Sequence, residues 1–514
     1  MIRKLQRLRW LVLATVALAI ATLVAPTTEA QAPRRGGSLR VASIGEPDNL
    51  DPHLLLSTQA MRIMEEIYSS LLRLDEKLNL HPDLATSWEI SPDAKAYVFK
   101  LRRGVKFHHG REFVADDVKF SIDRMRDPKV ASPWGYLFED LDRVEVTDPY
   151  TVRVIMKKPS SQLLTMLASP LTAMVPRDMV EKQGDLKKGG SGTGPFKFVE
   201  WVPQQYVRLV RNPAYYARGM PYLDELIFVP VTDETSRVTS VLAGTNHMDI
   251  QVAPKHFEQY RRSGKVDLMG GEVVSYIYIG FNTRKAPFSD WRVRQAVAWT
   301  VDRQQVVQLS AFGQGRPLLG GPLPAGTWMS SGLVVYDRPK LDKAKRLLAE
   351  AGYPQGVKGE VTVGAGTVYV DVAQVIKQQL QPAGIDLEIK VLEGGAVSRA
   401  VWKEHSYQMN LTHWGTLVDP DEFLYAMFHT KGGWNPTGFG DSKLDEILEA
   451  GRRVLKQDER RKIYRDAEQR IAELAPYVFL FRPIRYAAIA KEARGLKHEM
   501  GNTRLLLREV WMVK

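Results

Sequence analysis

The sequence SYIYIGFNTRKAPFSDWRVRQAVAWTVDR, residues 275–303, joins a strand pattern to a helix pattern and decides the fold. Tyr276 to Phe281 is aromatic and β-branched at successive positions, which is typical of a strand that is buried on both faces. Gly280 and Asn282 then offer the backbone freedom that a bend requires. We predict that Gly280, Phe281 and Asn282 form a hinge, with a domain boundary at Asn282. The local pattern leaves open an ordinary strand, loop and helix within one domain.

Length and composition describe an ordinary globular protein of two or three domains. At 514 residues the chain is too long for a single hydrophobic core. Its 44% hydrophobic and 25% charged residues are typical values. Basic and acidic side chains are interspersed, which favours a solvated surface over a nucleic-acid site. The absence of cysteine excludes disulfides, thiolate metal sites, a catalytic thiol and a lipid-anchored N-terminal cysteine.

The N-terminus has the three parts of an export signal. A basic segment, an apolar run over residues 10–25 and the small-residue site Thr28-Glu29-Ala30 follow one another. A single membrane anchor is the alternative, but about sixteen apolar residues are short for a span. We predict a cleaved signal peptide over residues 1–30, a linker over 31–36 and export to the periplasm, with secretion to the medium left open. Cleavage removes four basic groups and one acidic group, so the formal charge falls from +12 to +9.

A series of motifs in fixed order relates this chain to a known family. The motifs are GEPDNLDPH (45–53), PDLATSWEIS (82–91), YVFKLRRGVKFHHGREFVADDVKFSIDR (97–124), GTGPFKF (192–198), RNPAYY (211–216), LDELIF (223–228), the strand and helix pattern within 275–303, and AKRLLAEAGYP (344–354). With them the chain resembles the family 5 extracellular solute-binding proteins, which include the dipeptide, oligopeptide and nickel receptors of ABC importers. The resemblance covers nearly all of the chain after the signal. It is specific for the family and much less specific for the ligand.

The resemblance implies an α/β fold of type II, the two-lobed fold of periplasmic binding proteins, with an extra subdomain in lobe 1 and a two-segment hinge. The predicted divisions are lobe 1 over 37–81, an inserted subdomain over 82–201, lobe 1 again over 202–282, lobe 2 over 283–481 and the end of lobe 1 over 482–514. Residue patterns agree at this scale, because helices over 341–351 and 372–380 and an alternating strand over 385–391 make an αβ repeat. Arg482 marks the second predicted crossing.

The residues expected of an enzyme or a metal site do not occur at the required spacing. The ten histidines include no HExxH pair and no cluster at ligand spacing. His413 and His429 lie near the predicted cleft, but a structural role is the stronger interpretation for each. The bend GTGPFKF lacks both the Gly-Lys-Ser/Thr of a phosphate loop and the second glycine of a hydrolase elbow. We therefore predict no metal, no cofactor and no enzymatic activity.

Residues 411–441 carry aromatic side chains among glycines and prolines, which is loop composition. Large aromatic side chains in a loop need cover, which either the core or a ligand between the lobes can supply. The resemblance implies that this region lines the cleft from lobe 2, and that Trp134 in the loop SPWGY faces the ligand from lobe 1. The candidate ligand-binding residues are Trp134, Trp414, Thr416, Asp419, Tyr425, Trp434, Asn435 and Phe439.

One departure from the family pattern concerns the ligand. The family's peptide receptors carry an aspartate just after the tryptophan of this region, which holds the peptide ammonium. Here Gly415, Thr416 and Leu417 follow Trp414, and Asp419 comes later. Burying an ammonium group without a carboxylate is costly. A short peptide is therefore one candidate ligand among other small polar solutes.

We predict a monomeric solute-binding protein that captures a small solute between two closing lobes and delivers it to the permease of an ABC importer. A chaperone-like binder of extended segments and a hydrolase are the alternatives. Saturable one-to-one binding without product would favour the first interpretation, a preference for unfolded chains the second, and turnover the third.

Overall fold

The computed structural model describes residues 32–365, 368–415, 419–497 and 506–513. The predicted signal peptide and Thr416 of the predicted site lie outside these ranges. The described strands are β1 (Ser38–Ser43), β2 (Leu72–Leu74), β3 (Leu80–Pro82), β4 (Ala85–Ile90), β5 (Ala96–Leu101), β6 (Leu141–Asp148), β7 (Thr151–Met156), β8 (Phe196–Val202), β9 (Tyr206–Arg211), β10 (Glu225–Pro230), β11 (Met248–Asp249), β12 (Val266–Glu272), β13 (Tyr276–Phe281), β14 (Gly315–Pro317), β15 (Val357–Gly364), β16 (Ile385–Leu392), β17 (Met409–Trp414), β18 (Tyr477–Ala490), β19 (Ala493–Arg494) and β20 (Trp511–Met512). The described α-helices are α1 (Thr58–Ile67), α2 (Ala115–Arg126), α3 (Leu163–Met166), α4 (Arg177–Gln183), α5 (Glu234–Leu242), α6 (Phe257–Ser263), α7 (Trp291–Thr300), α8 (Arg303–Ser310), α9 (Leu341–Glu350), α10 (Val368–Leu380), α11 (Gly394–Ser398), α12 (Pro420–Phe428), α13 (Ser442–Arg453) and α14 (Gln457–Leu474).

Lobe 1 is built on a mixed sheet in the order β8-β9-β10-β1-β11-β18, with β12 also paired to β18. β1 lies between β10 and β11 and runs parallel to both. Leu39 and Val41, at alternate positions of β1, are fully buried in the core that α1 also covers. Helices α5 and α6 bury Val238 and Tyr260 in a second cluster of lobe 1, which also includes Ala488 of β18. Successive residues of a strand face opposite sides, so both faces of this sheet are covered.

The extra subdomain is a four-stranded antiparallel sheet in the order β4-β5-β7-β6. Its core residues Tyr97 and Phe99 belong to the same buried cluster as the core of lobe 1. β8 pairs with β9 and therefore belongs to the sheet of lobe 1. The predicted end of the subdomain at residue 201 is wrong, since this sheet ends with β7.

Lobe 2 is built on a sheet in the order β16-β15-β17-β13-β18, with β14 also paired to β18. β15, α10 and β16 form a parallel β-α-β unit, which is the αβ repeat predicted from sequence. Buried apolar clusters lie on both sides, one around α7 to α10 and the other around α12 to α14. A strand that is apolar at successive positions, as β13 is, suits a sheet covered on both faces.

The first crossing between the lobes lies at residues 273–275, not at residues 280–282. β12 pairs with residues 484–490 of β18 in lobe 1, whereas β13 pairs along its length with β17 in lobe 2. The sheet continues through β15 to β16, so the strand that ends at Phe281 and the strand Ile385–Leu392 share one sheet. The predicted boundary at Asn282 is wrong by a whole strand.

Local contacts explain why Gly280 and Asn282 occur inside lobe 2. A Cβ atom at Gly280 would lie 2.5 Å from Oδ1 of Asn410 on the neighbouring strand, so close packing requires glycine there. The buried Asn282 side chain donates through Nδ2 to the carbonyl oxygens of His405 and Tyr407, both at 3.0 Å. Residues that favour a bend are used here for tight packing.

The second crossing lies inside β18, which is one continuous strand of 14 residues. Residues 477–481 pair with β13, and residues 484–490 pair with β12. Pro483 stands where the strand changes partners. A proline has no N–H to donate to a ladder, so it is tolerated at a position where the pairing is interrupted. β18 thereby carries the sheet from lobe 2 into lobe 1.

Arg482 ties the two crossings together. Its fully buried guanidinium donates to the carbonyl oxygens of Val273, at 3.0 Å, and of Val274 at the first crossing. It also donates to the carbonyl oxygen of Pro322 in lobe 2. Burial lowers the pKa of Arg482 to about 10, so the group stays charged near pH 7.

Candidate functional site

A cavity of about 620 Å³ opens between the lobes beside the two crossings. Its walls come from lobe 1, lobe 2 and the crossings, and include Gln251, Arg485, Tyr369, His413, Ser275 and Pro483. Small-molecule sites usually have volumes of about 300–1,000 Å³. A molecule in this cavity would contact both lobes at once, so its binding would favour a closed arrangement.

His413 and Tyr369 form a polar part of the lobe 2 wall. Tyr369 Oη lies 2.7 Å from Nδ1 of His413, and the two rings stack with centroids 6.2 Å apart. Enclosure in the cavity lowers the pKa of His413, and the positive charge of Arg485 lowers it further. Burial raises the pKa of Tyr369 to about 12. Both groups are therefore neutral near pH 7, so this wall offers hydrogen bonds rather than charge.

Three tryptophans of lobe 2 lie on the other face of the sheet from His413, since Trp414 is the next residue of the same strand. We call them the tryptophan cluster: Trp402, Trp414 and Trp434. Their ring centroids lie between 5.2 and 6.0 Å apart. Each keeps part of its surface exposed. Trp414 Nε1 donates to the carbonyl oxygen of Glu422 at 3.2 Å. The cluster forms a partly exposed apolar surface next to lobe 1.

Tyr136 of lobe 1 reaches the tryptophan cluster. Its ring lies edge-on to that of Trp434, with the centroids 6.4 Å apart. Trp134, which was predicted to face the ligand from lobe 1, is only 8% exposed and its Nε1 donates to the carbonyl oxygen of Leu55 at 2.9 Å. The indole is satisfied within the core of lobe 1, and the same loop contacts lobe 2 through its tyrosine.

The structure contradicts the prediction that Asp419 binds ligand. Its carboxylate is 3% exposed and accepts hydrogen bonds from Nη1 and Nη2 of Arg460, at 3.1 and 2.6 Å. Oδ1 also accepts from the backbone nitrogen of Asp421 at 3.0 Å and so caps α12. Oδ2 also accepts from Oγ1 of Thr165 in lobe 1 at 3.4 Å. Both oxygens therefore have protein partners, and neither is available to a ligand ammonium.

Three other candidates make contacts within lobe 2. Tyr425 stacks on His429 with ring centroids 4.1 Å apart and lies 4.0 Å from the Arg452 guanidinium. Asn435 Nδ2 donates to the carbonyl oxygens of His429 and Phe439, at 3.3 and 2.7 Å. Phe439 is 6% exposed and belongs to a buried cluster. Of the predicted ligand-binding residues described, Trp414 and Trp434 keep part of their surface exposed.

A second contact joins the lobes around Gln162 of lobe 1. Its amide nitrogen donates to Asp421 Oδ2 and its amide oxygen accepts from Arg452 Nη2, both at 2.7 Å. Arg452 also pairs with Asp421 at 3.1 Å. The neighbouring Ser161 donates through its backbone nitrogen to the carbonyl oxygen of Arg452 at 3.1 Å. Burial raises the pKa of Asp421 to about 6, although Arg452 opposes the shift.

The raised pKa of Asp421 predicts a pH dependence of stability. Between an unfolded pKa near 3.8 and a folded pKa of about 6, the folded chain binds more protons than the unfolded chain. The stability of the wild type relative to Asp421→Asn should therefore rise by about 2 kcal/mol as the pH falls from 7 to 4. Urea unfolding at several pH values measures this difference. A difference that is flat over this range would contradict it.

Sequence reasoning missed Trp402, Tyr136, Tyr369 and Arg485, and it favoured a structural role for His413. Trp402 stands in the charged segment VWKEH, and Arg485 in a strand, so neither has a local signal. Tyr369 and His413 follow a rule that could have found them. Ligands of open α/β sheets bind beyond the carboxyl ends of the strands, and Tyr369 follows β15 while His413 lies near the end of β17.

The residues that the structure describes contain no group of three or more His, Cys, Asp or Glu side chains placed to hold a metal ion. None of the helices described has both the length and the apolar character needed to cross a membrane.

The sequence model of the bacterial extracellular solute-binding proteins, family 5 (middle), matches residues 79–435. This chain belongs to that family. The match extends from the inserted subdomain to the loop of Trp434, and it includes Tyr369 and His413 of the lobe 2 wall. The family predicted from the ordered motifs is confirmed.

Two relatives and one solved structure match this family 5 chain over most of its length and most of their own. It is 27% identical over 459 residues to the glutathione-binding protein GsiB of Salmonella choleraesuis (strain SC-B67), which covers 87% of this chain and 89% of that protein. It is 28% identical over 512 residues to the oligopeptide-binding protein AppA of Bacillus subtilis (strain 168), with 94% and 93% covered. The periplasmic binding protein DppA of Helicobacter pylori, solved with the peptide STSA, matches with a TM-score of 0.81 and 27% identity over 94% of this chain and 99% of that chain. The two-lobed type II fold and the class of function, a solute-binding protein of an ABC importer, are confirmed.

Proposed function

We propose that this solute-binding protein encloses a short peptide, a peptide-like solute or another small polar molecule between its lobes, and that the closed form delivers it to an ABC permease. The observation that carries the proposal is the cavity of about 620 Å³, whose walls come from both lobes and both crossings. A ligand that contacts both walls binds the closed form better than the open form, and this difference drives closure.

The two lobes offer both polar and apolar surfaces to a solute. His413 and Tyr369 offer neutral hydrogen-bonding groups to the cavity. The tryptophan cluster lies on the opposite face of the lobe 2 sheet, outside the lining of this cavity, and we propose it as a second, apolar contact surface where lobe 2 meets Tyr136 of lobe 1.

The protein acts by binding rather than by chemistry, and it acts as a monomer in the periplasm after removal of residues 1–30. Support for binding without turnover comes from His413, whose partner in the cavity is the Tyr369 hydroxyl, a poor nucleophile with a pKa of about 12. Support for export comes from the N-terminal pattern and from relatives such as the periplasmic DppA.

The experiment that tests the function is native mass spectrometry of protein purified without unfolding. We expect one small solute per chain, released by unfolding in guanidinium and rebound on refolding. Binding of many extended polypeptides would favour a chaperone-like binder, and conversion of the extracted solute to a product would favour a hydrolase. Protein that carries no solute and rebinds nothing from a periplasmic extract would contradict the proposal.

Trp434 and Phe439 form a matched pair for testing the tryptophan cluster. Trp434 is partly exposed in the cluster, so Trp434→Ala should weaken solute binding by about 2 kcal/mol, or roughly 30-fold. It should lower the stability of the solute-free protein by only about 1 kcal/mol. Phe439→Ala, in the core of lobe 2, should instead cost about 3 kcal/mol of stability and leave the affinity of the folded protein unchanged. One melt and one titration per variant measure both effects, and a reversal of the two patterns would move the site away from Trp434.

A further inference from the structure

The contact around Gln162 joins the lobes at a place outside the interlobe cavity. Gln162 lies between β7 and α3 in lobe 1, and its amide bridges the Asp421 carboxylate and the Arg452 guanidinium of lobe 2, both at 2.7 Å. The lining of the cavity includes none of these three residues. What this contact contributes to closure is therefore added to the contribution of a bound solute.

The segment that carries Gln162 is fixed by contacts within lobe 1. The carbonyl oxygen of Ser160 accepts a hydrogen bond from the hydroxyl group of Tyr97 at 2.6 Å. Leu163 and Leu167 are fully buried in the core to which Tyr97 also belongs. A segment that is already ordered loses little conformational freedom when it forms a contact, so more of the contact energy is available for closure.

On the other side of the contact, this segment meets the C-terminal end of α13 in lobe 2. The last carbonyl groups of a helix have no partner within the helix. Here the carbonyl oxygen of Arg452 accepts from the backbone nitrogen of Ser161 at 3.1 Å, and that of Gly451 accepts from Ser161 Oγ at 3.3 Å. Lobe 1 thus supplies donors that the end of α13 needs, and these directional bonds fix how the two surfaces meet.

This contact can break without leaving an unpaired charge. Asp421 and Arg452 pair with each other at 3.1 Å, and this pair lies within lobe 2 and does not depend on lobe 1. The amide of Gln162 is neutral, so water can replace its partners at small cost. Asp140 of lobe 1 lies 3.8 Å from Arg452 and adds a weak attraction. These properties suit a junction that opens and closes.

We propose that Gln162, Asp421 and Arg452 form a latch between the lobes, which stabilises the closed form and sets how long a solute is retained. The latch rests on the proposed solute-binding function, and it assigns part of the affinity to residues outside the cavity. A solute that leaves only when the lobes open is released at a rate set by both the cavity contacts and the latch. Gln162 is a positioning residue, because it acts on the solute through the lobes.

The first test measures the closed form in protein freed of solute by unfolding and refolding. A spin label at the exposed position Lys431→Cys in lobe 2 broadens the methyl signal of Met166 in lobe 1 mainly through the closed form, because the effect falls steeply with distance. Gln162→Met keeps the length of the side chain and removes both polar contacts, so the closed-to-open ratio should fall about 10-fold. Gln183→Met, at an exposed position of α4 in lobe 1, is the matched control and should leave the ratio unchanged.

Broadening that is absent from the wild type, or that is equal in the wild type and Gln162→Met, would overturn the latch. Ser161→Ala is a second variant, at a half-buried position, which decides the matter if Gln162→Met does not fold. It removes only the 3.3 Å bond to Gly451, so the ratio should fall about 3-fold. Unchanged broadening in a folded Ser161→Ala protein would then overturn the latch.

The second test measures the rates of binding and release of the solute that is extracted from native protein. The latch forms only after the lobes have closed, so Gln162→Met should release this solute about 10-fold faster and bind it at nearly the wild-type rate. Gln183→Met should match the wild type in both rates. Unchanged release by Gln162→Met, whether or not association is slower, would overturn the latch.

The two proposals fail in different ways. If native protein carries no solute and rebinds none, the solute-binding proposal fails, while the spin-label measurement still decides the latch. If Gln162→Met closes and releases its solute as the wild type does, the latch fails and the solute-binding function stands.

Discussion

Arg482→Met should lower the free energy of unfolding by about 4 kcal/mol, because it leaves three buried carbonyl oxygens without their donor. These oxygens belong to Val273 and Val274 at the first crossing and to Pro322 in lobe 2. Each unsatisfied buried acceptor costs about 1–3 kcal/mol, and the sum is reduced by relaxation of the crossings. Urea unfolding of the solute-free protein measures the loss.

Two further variants separate the geometry of Arg482 from its charge. Arg482→Lys retains the charge but offers a point donor in place of a fork, so its loss should be about half as large. Arg494→Met removes an exposed arginine that pairs with Asp267 at 2.9 Å, and it should change stability by less than about 1 kcal/mol. If Arg482→Met were as stable as Arg494→Met, Arg482 would not tie the crossings together.

Asp419→Ala should lower the free energy of unfolding by a similar amount, about 4 kcal/mol, since it leaves Arg460 buried and unpaired. The pair is joined by two hydrogen bonds, at 3.1 and 2.6 Å, and Asp419 also caps α12. Replacing both partners by apolar residues, as in Asp419→Leu with Arg460→Met, should recover at least half of the loss. Thermal or urea unfolding of the solute-free proteins gives these values.

The control for this pair is on the same helix, α14. Asp458 and Arg461 form an exposed pair at 3.1 Å, so Asp458→Ala should cost less than about 1 kcal/mol. The comparison also tests the assignment of Asp419 as a structural residue. A stable Asp419→Ala protein that no longer binds solute would return Asp419 to the ligand site.

Patterns that depend on near neighbours along the chain predicted much of the fold. The helix near 115–125 and the β-α-β unit over β15, α10 and β16 follow from apolar spacing and caps, and both form. The crossings depend on which strands pair, and pairing is decided by residues far apart in sequence. Gly280 illustrates the difference. Glycine is required there because a side chain would clash with Asn410 on β17, about 130 residues away in sequence. β18 illustrates it too, since Pro483 marks a change of partner rather than the end of the strand.

The site was harder to predict than the fold for the same reason. An aspartate in a loop has the same local pattern whether it meets a ligand or, as Asp419 does, a buried arginine 41 residues away. Trp134 and Tyr136 are only two residues apart. The Trp134 indole lies in the core because its Nε1 donates to the carbonyl oxygen of Leu55, a contact that the local sequence does not indicate.

The central claim is that the two lobes close around a solute by pivoting at residues 273–275 and 482–484, and the distance between the lobes tests it most directly. The chain contains no cysteine, so Lys129→Cys in lobe 1 and Lys431→Cys in lobe 2, both at exposed positions, provide two unique sites for spin labels. Pulsed dipolar spectroscopy should give a long, broad distance distribution for the solute-free protein and a shorter, narrower one after the extracted solute is added. Identical distributions with and without bound solute would contradict closure and the account built on it.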